Sequence, residues 1–263
     1  MTLAGFGKRD LDMLVSLFRM AVGDRFLGSG LGLAWAVLSP LMLMGIFVFV
    51  FSFVFPGRVP GRDGALPFVI WLISGYGPWL AISEGLNSST GSVVGNIGIV
   101  KNIAFKSELL PIASAMLGLV PLLVSFVIIF ALQIIGGEFP GIGWLAALYS
   151  IVLLFLFLSG LGLFLSSLNV FIRDVSLILP NILLILLFAS PVFYRMDAYP
   201  ASIRPILAYN PIYAAVECFR APIVEGQLPA TFLLIYMTIL SVSLFLGGLW
   251  WFRRLKTFFD LRL

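Results

Sequence analysis

The 263-residue chain is 61% hydrophobic and only 11% charged, and no soluble domain of this size could keep its 25 phenylalanines out of water. Its net charge of +4 does not imply nucleic acid, because in so apolar a chain the placement of Lys and Arg along the sequence carries the information. With Cys218 as the only cysteine and no histidine, disulfide frameworks, zinc sites, haem and Ser-His or Cys-His catalysis are excluded.

Residues 1–32 are mixed and charged, unlike a cleavable signal peptide, which needs a short basic start and an apolar core. Within "KRDLDMLVSLFRMAVGDRF" the residues Leu11, Leu14, Val15, Phe18, Val22 and Phe26 share a helical face, with Arg9, Asp12, Ser16 and Arg19 largely opposite. Such a helix lies in the headgroup plane. Met13, Leu17 and Met20 blur the polar face and leave open a cap packed on the bundle.

Apolar runs then predict six helical spans, at 33–55, 66–86, 109–135, 142–168, 176–194 and 230–252, with no alternation of the barrel kind. The chain reads as a single all-α membrane domain: an interfacial segment 1–32, a six-helix bundle 33–252 and a basic tail 253–263. The N-terminal segment, the loops at 87–108 and 169–175, and the tail hold eleven lysines and arginines, against five in the alternate loops. The positive-inside rule then places both termini in the cytoplasm.

Between spans two and three, "GSVVGNIGIVKNIAFKSELLP" is too broken by glycine to cross a bilayer, yet its apolar residues recur at helical spacing. Wound as a helix, 91–106 sets Val93, Val94, Ile97, Val100, Ala104 and Phe105 on one face, with Lys101 intruding. The other face carries Gly95, Asn96, Gly98, Ile99, Asn102 and Ile103, which suits docking of a soluble partner as well as a plain interfacial loop. Between spans five and six, prolines 200, 205, 211, 222 and 229 interrupt an apolar stretch and predict two short helices dipping into the outer leaflet. Glu217 and Arg220, three apart, can pair on one helical face, either in an outer gate or simply at the interface.

No G-x-x-x-x-G-K-[ST] loop is present, and the spans lack the charged relay of ion-coupled transporters. Glu84, near the cytoplasmic end of span two, is expected to be hydrated at the interface. The scattered acids form no metal or general-base site, so the chain is read as a non-enzyme whose energy source is external, or as a passive channel or scaffold.

Several stretches together resemble the permease subunits of ABC-2 type polysaccharide exporters, which move O-antigen and teichoic-acid chains: "RFLGSGLGLAWAVLSPLM", "VKNIAFKSELLP", "NVFIRDV", "SPVFY" and "NPIYAAVECFRAPIVEG". They occur in order over almost the whole chain. The resemblance implies a homodimer in the bacterial cytoplasmic membrane, bound to two copies of a P-loop ATPase subunit that holds ATP and Mg, with lipid-linked polysaccharide as substrate. It implies an interfacial helix at 8–26, a coupling helix at about 88–104 and an outer gate at about 200–226; within these, Asn96, Ile99, Val100, Lys101, Asn102 and Ile103 are the candidates for the ATPase contact, and Asn210, Pro211, Tyr213, Glu217 and Arg220 for the gate. A glycan conduit calls for aromatic faces, and Trp35, Phe47, Phe51, Phe188, Phe193 and Tyr194 are its candidates, although phenylalanine also faces lipid routinely. Pro40 and Pro191 are candidate kinks in spans one and five. An ABC-2 exporter of drugs or small lipids is the nearest alternative.

Overall fold

The computed structural model describes residues 6–26, 29–54, 65–102, 105–138, 141 and 143–261. Among them every regular element is helical. In chain order these are α1 (Lys8–Phe26), α2 (Trp35–Phe49), α3 (Ala65–Gly95), α4 (Ile97–Asn102), α5 (Leu109–Ala115), α6 (Leu119–Ile135), α7 (Gly143–Phe171), α8 (Asp174–Ala189), α9 (Arg204–Ala208), α10 (Pro211–Val224) and α11 (Thr231–Leu255). A 3-10 turn over Met116–Gly118 joins α5 to α6, and a π-helical turn over Val50–Val54 extends α2.

Five stretches are long and apolar enough to cross a bilayer: Gly32–Val54, Ala65–Gly95, Leu109–Ile135, Gly143–Phe171 and Thr231–Phe259. They coincide with five of the expected spans. The remaining one, expected at 176–194, is shorter: α8 has 16 residues and reaches about 24 Å, against about 30 Å of hydrocarbon. Pro191 is the cause, since it drives Ser190 into extended backbone (φ −101°, ψ 152°). Pro191 thus ends α8 rather than kinking it; the proline inside α8 is Pro180, and Pro40 does lie inside α2.

α3 is the axis of the bundle. Buried along most of its length, it packs against α5, α6, α7 and α10. Its internal hydroxyls are satisfied locally: Ser74, Ser89 and Thr90 donate to the carbonyls of Trp71, Gly85 and Leu86. α7 and α11 cross at Gly160 and Gly248, where a β-carbon on either residue would collide with the other helix's backbone. Without a hydrophobic drive between helices in lipid, such close approach supplies the dispersion contact that holds them.

α10 is buried in this bundle. Cys218, Phe219 and Val216 are at most 2% exposed, and the carbonyls of Cys218 and Ile223 accept hydrogen bonds from Ser150 Oγ (2.7 Å) and Gln133 Nε2 (2.8 Å). The two short helices expected in this return are present as α9 and α10, each with proline in its first turn, where the missing N–H is harmless.

α1 packs on the bundle and also keeps an apolar edge outward. Leu17 is buried against Leu109, Leu110 and Ala113, with Met13, Leu14, Phe18 and Met20 beside it, whereas Leu11 and Val15 are exposed. The residues that blurred its polar face are therefore among its protein contacts.

Candidate functional site

The two ends of α3 carry different chemistry. At its C-terminal end α3 runs on through Gly95, so residues 91–95 belong to it and only Ile97–Asn102 form a separate turn of helix. Asn96 makes the break: its side chain donates to the Ser92 carbonyl (2.8 Å), and its own carbonyl accepts from Ile99 and Val100. Val93, Val94, Val100 and Phe105 pack inward as the periodicity predicts, with Val100 shared between two clusters. Ile97, expected inward, is only half-buried and joins neither cluster. Ile99 is half-buried, Gly98 and Lys101 are exposed, and Gly95 and Gly98 have open space at their α-carbons. Of the residues expected at the contact, Ile99 and Lys101 are accessible and Val100 packs into the bundle; Ile103 and the side chain of Asn102 lie outside the described residues.

Ion pairs bind this end together. Asp10 accepts from Lys106 (2.6 Å), and the Lys106 ammonium, with the Gly7 N–H, holds its carboxyl below the usual range. Glu84 receives both terminal nitrogens of Arg25, Nη2 at 2.8 Å, and the Ser88 hydroxyl at 2.7 Å. Protein groups, rather than interfacial water alone, therefore answer its charge. Glu108, whose side chain is 2% exposed, accepts from Arg253 Nε (2.9 Å) and Lys256 Nζ (3.1 Å). Burial pushes its carboxyl up, but a backbone hydrogen bond and the two cations outweigh it and leave the carboxyl below its ordinary value. No periodicity exposes this clasp, because its members lie 145 and 148 residues apart.

Five of the six candidate aromatic residues come together where α2 meets the turn after α8. Phe193 is the hub, with ring centroids 4.5 Å from Phe47, 5.2 Å from Phe51 and 6.4 Å from Phe188, and Tyr76 of α3 adds a contact at 5.4 Å. Tyr194 meets Phe51 edge-on at 6.1 Å. Phe193 is 4% exposed, so this is a packed joint between α2, α3 and the turn, with Phe188 and Tyr194 at its open edge. Trp35 stands apart, in a pocket of about 200 Å³ with Arg25, Pro40 and Glu84.

At the N-terminal end of α3, Arg220 of α10 is buried against Trp71, its guanidinium carbon 4.1 Å from the ring centroid. Its Nη2 donates to the Val192 carbonyl at 2.6 Å. Glu217 is the expected i, i+3 partner, but at 3.9 Å it is too far for a hydrogen bond. Both line a cavity of about 320 Å³ closed by the turn after α8. Arg195, Arg204 and Arg220 face it, as do Asp197, Glu217 and Glu225, together with Trp71, Tyr194 and Tyr213. The turn is held by Arg204, which donates to the carbonyls of Tyr199 (2.7 Å) and Asp197 (2.6 Å). Asn210 caps α10: its Oδ1 accepts from the Ile212 N–H (2.9 Å) while its Nδ2 donates to Ser190 Oγ (2.9 Å), tying the helix start to the end of α8. Pro211 follows as the first helical residue. Trp71, which faces the guanidinium, and Gly75, whose lack of a side chain leaves it room, were not singled out in the sequence; the paired glycines of "SGYGP" were the available signal.

Residues 15–224 match the family described as ABC-2 type transporter. The chain is 25% identical over 247 residues to the O-antigen export system permease protein RfbA of Klebsiella pneumoniae, covering 93% of this chain and 92% of that protein. Against the protein of the same name from Myxococcus xanthus it is 26% identical over 236 residues, 88% of each. It is also 25% identical over 238 residues to the polysialic acid transport protein KpsM of Escherichia coli, covering 88% and 89%.

Proposed function

Because the chain belongs to the ABC-2 type transporter family, we propose that it is the membrane-spanning subunit of an ATP-driven polysaccharide exporter. The observation that carries this reading is similarity along nearly the whole length to proteins named for O-antigen export and polysialic acid transport. The chain has no phosphate-binding loop, so a separate P-loop ATPase supplies the energy and holds ATP and Mg. The working unit is a homodimer with two such ATPases in the bacterial cytoplasmic membrane. Both termini and α4 face the cytoplasm, as the skew of Lys and Arg favours.

The geometry suggests how a stroke is passed on. ATPase closure presses on α4 around Ile99 and Lys101; because α4 follows α3 after a single residue, the push is delivered to the helix that packs on most of the bundle. Rigid-body movement of α3 shifts the Phe47–Phe193 joint and the cavity wall at Trp71 together, since both are attached to it. A lipid-linked glycan passes between the two subunits during this movement, with Phe188 and Tyr194 at the exposed edge.

Two measurements test the reading. Removing the chain from its host should abolish surface glycan while lipid-linked glycan accumulates on the cytoplasmic side. Intact surface glycan with new sensitivity to amphiphiles would instead indicate export of small molecules. The tagged chain, gently extracted, should bring down a stoichiometric P-loop ATPase; a reproducibly bare dimer would overturn the reading in favour of a passive channel or scaffold.

A further inference from the structure

The cavity beside α10 is lined by groups whose hydrogen-bonding capacity the fold does not use up. Arg220 is 4% exposed and fixed between Trp71 and the Val192 carbonyl, yet its Nε has no hydrogen-bond partner among the described residues. A buried guanidinium whose Nη1 stands 3.9 Å from the nearest carboxylate oxygen, too far for a hydrogen bond, is costly unless another molecule completes the set. Aromatic faces are close by: Tyr194 is 45% exposed, and Tyr213 lines the same space.

The charges decide which kind of molecule fits. Arginines and carboxylates around the cavity balance at three each, so the local field favours neither a bare anion nor a bare cation. Spare donors, a carboxylate acceptor and aromatic faces together match a polyhydroxylated ring. Hydroxyl oxygens accept from Arg220, hydroxyl hydrogens go to Glu217, and the C–H face lies on tyrosine. At about 320 Å³ the cavity lies near the lower end of the roughly 300–1,000 Å³ common for small-ligand sites. Its position suits an exit, because Trp71 and Gly95 lie on one continuous helix, about 36 Å apart, which sets the cavity a membrane's thickness from α4.

We propose that this cavity, built within a single subunit, binds a sugar unit of the glycan as it leaves the membrane, a claim that rests on the export reading for the identity of the glycan. Each subunit of the dimer then offers one hold on the emerging chain, between strokes.

The probe is a set of short oligosaccharides released by mild acid from the host's own surface glycan. They are titrated by saturation-transfer NMR against the full chain in lipid nanodiscs. The wild type should bind them, and Tyr194→Ala and Glu217→Gln should each weaken binding about fivefold or more, because a stacking face or a charge-assisted hydrogen bond is lost. Tyr194 is exposed, so its variant keeps the fold, as an unchanged thermal midpoint would verify. An anion site would respond to Glu217→Gln with the opposite sign: inorganic phosphate would bind, and bind more tightly once the repelling carboxylate is gone. That result, or oligosaccharide binding indifferent to both folded variants, or none by the wild type, overturns the proposal. If removing the chain abolishes surface glycan and the oligosaccharides still do not bind, this inference alone fails; if surface glycan survives, the export reading fails.

Discussion

Arg220 occupies the space that a side chain on residue 75 would need. A β-carbon built on Gly75 collides with the guanidinium and stands 2.7 Å from the Val192 carbonyl oxygen that Arg220 holds. Gly75→Ala should therefore cost about 1–3 kcal/mol, the usual effect of overfilling a packed core, and lower the thermal midpoint in detergent. Adding Arg220→Ala vacates the space and should recover part of the loss. Equal midpoints for the wild type and Gly75→Ala would refute this packing.

The Glu108 clasp joins the start of α5 to the end of α11, and Glu108→Gln removes its charge. Loss of one partner from a fully buried pair costs roughly 3–5 kcal/mol. Arg253 and Lys256 are each 36% exposed, so solvent screening reduces the expectation to about 1–3 kcal/mol. The folded carboxyl titrates below its ordinary value, so its stabilisation is complete above the unfolded pKa and is lost as pH falls through the folded one. Thermal midpoints measured from pH 7 downward should fall more steeply in the wild type than in Glu108→Gln once the pH drops below the ordinary Glu value. Parallel curves would contradict the clasp.

α1 is tethered near both ends, by Asp10 to Lys106 and by Arg25 to Glu84. Both pairs are partly exposed, and the Arg25–Glu84 pair should contribute no more than about 1 kcal/mol. Arg25→Glu should speed amide hydrogen exchange over the last two turns of α1 several-fold, and the swap Arg25→Glu with Glu84→Arg should restore protection. Failure of the swap to restore it would mean that the pair does not hold the helix.

Ile99 is half-buried on a turn of helix whose Val100 faces inward, so its substitution spares the clusters beneath. Ile99→Asp should leave the permease folded while weakening ATPase binding, so that surface glycan falls and the ATPase activity of the extracted complex no longer depends on the permease. Full export by this variant would remove α4 from the transmission path.

Hydropathy and helical periodicity revealed much of this protein because they are local properties. Continuous apolar runs made the span at 109–135 legible to the residue and placed the one at 142–168, which ends at Phe171, and the inward face of Val93, Val94 and Val100 followed from spacing alone. Proline chemistry announced α9 and α10, and it also shortened α8, where the hydropathy of "SPVFY" concealed a break that the extended Ser190 makes plain.

What the sequence determined by itself, then, was that the chain is helical, lies in a membrane and interrupts its last long return. Only the tertiary structure decided that Phe193 is the core of a joint, that Glu108 is clasped by Arg253 and Lys256, and that Arg220 lies over Trp71 in the space left by Gly75. The physical reason is range. The hydrophobic effect and backbone hydrogen bonding act on every short segment alike, whereas the partner of a buried charge is set by which helices meet, and that is recorded in no window of a few turns.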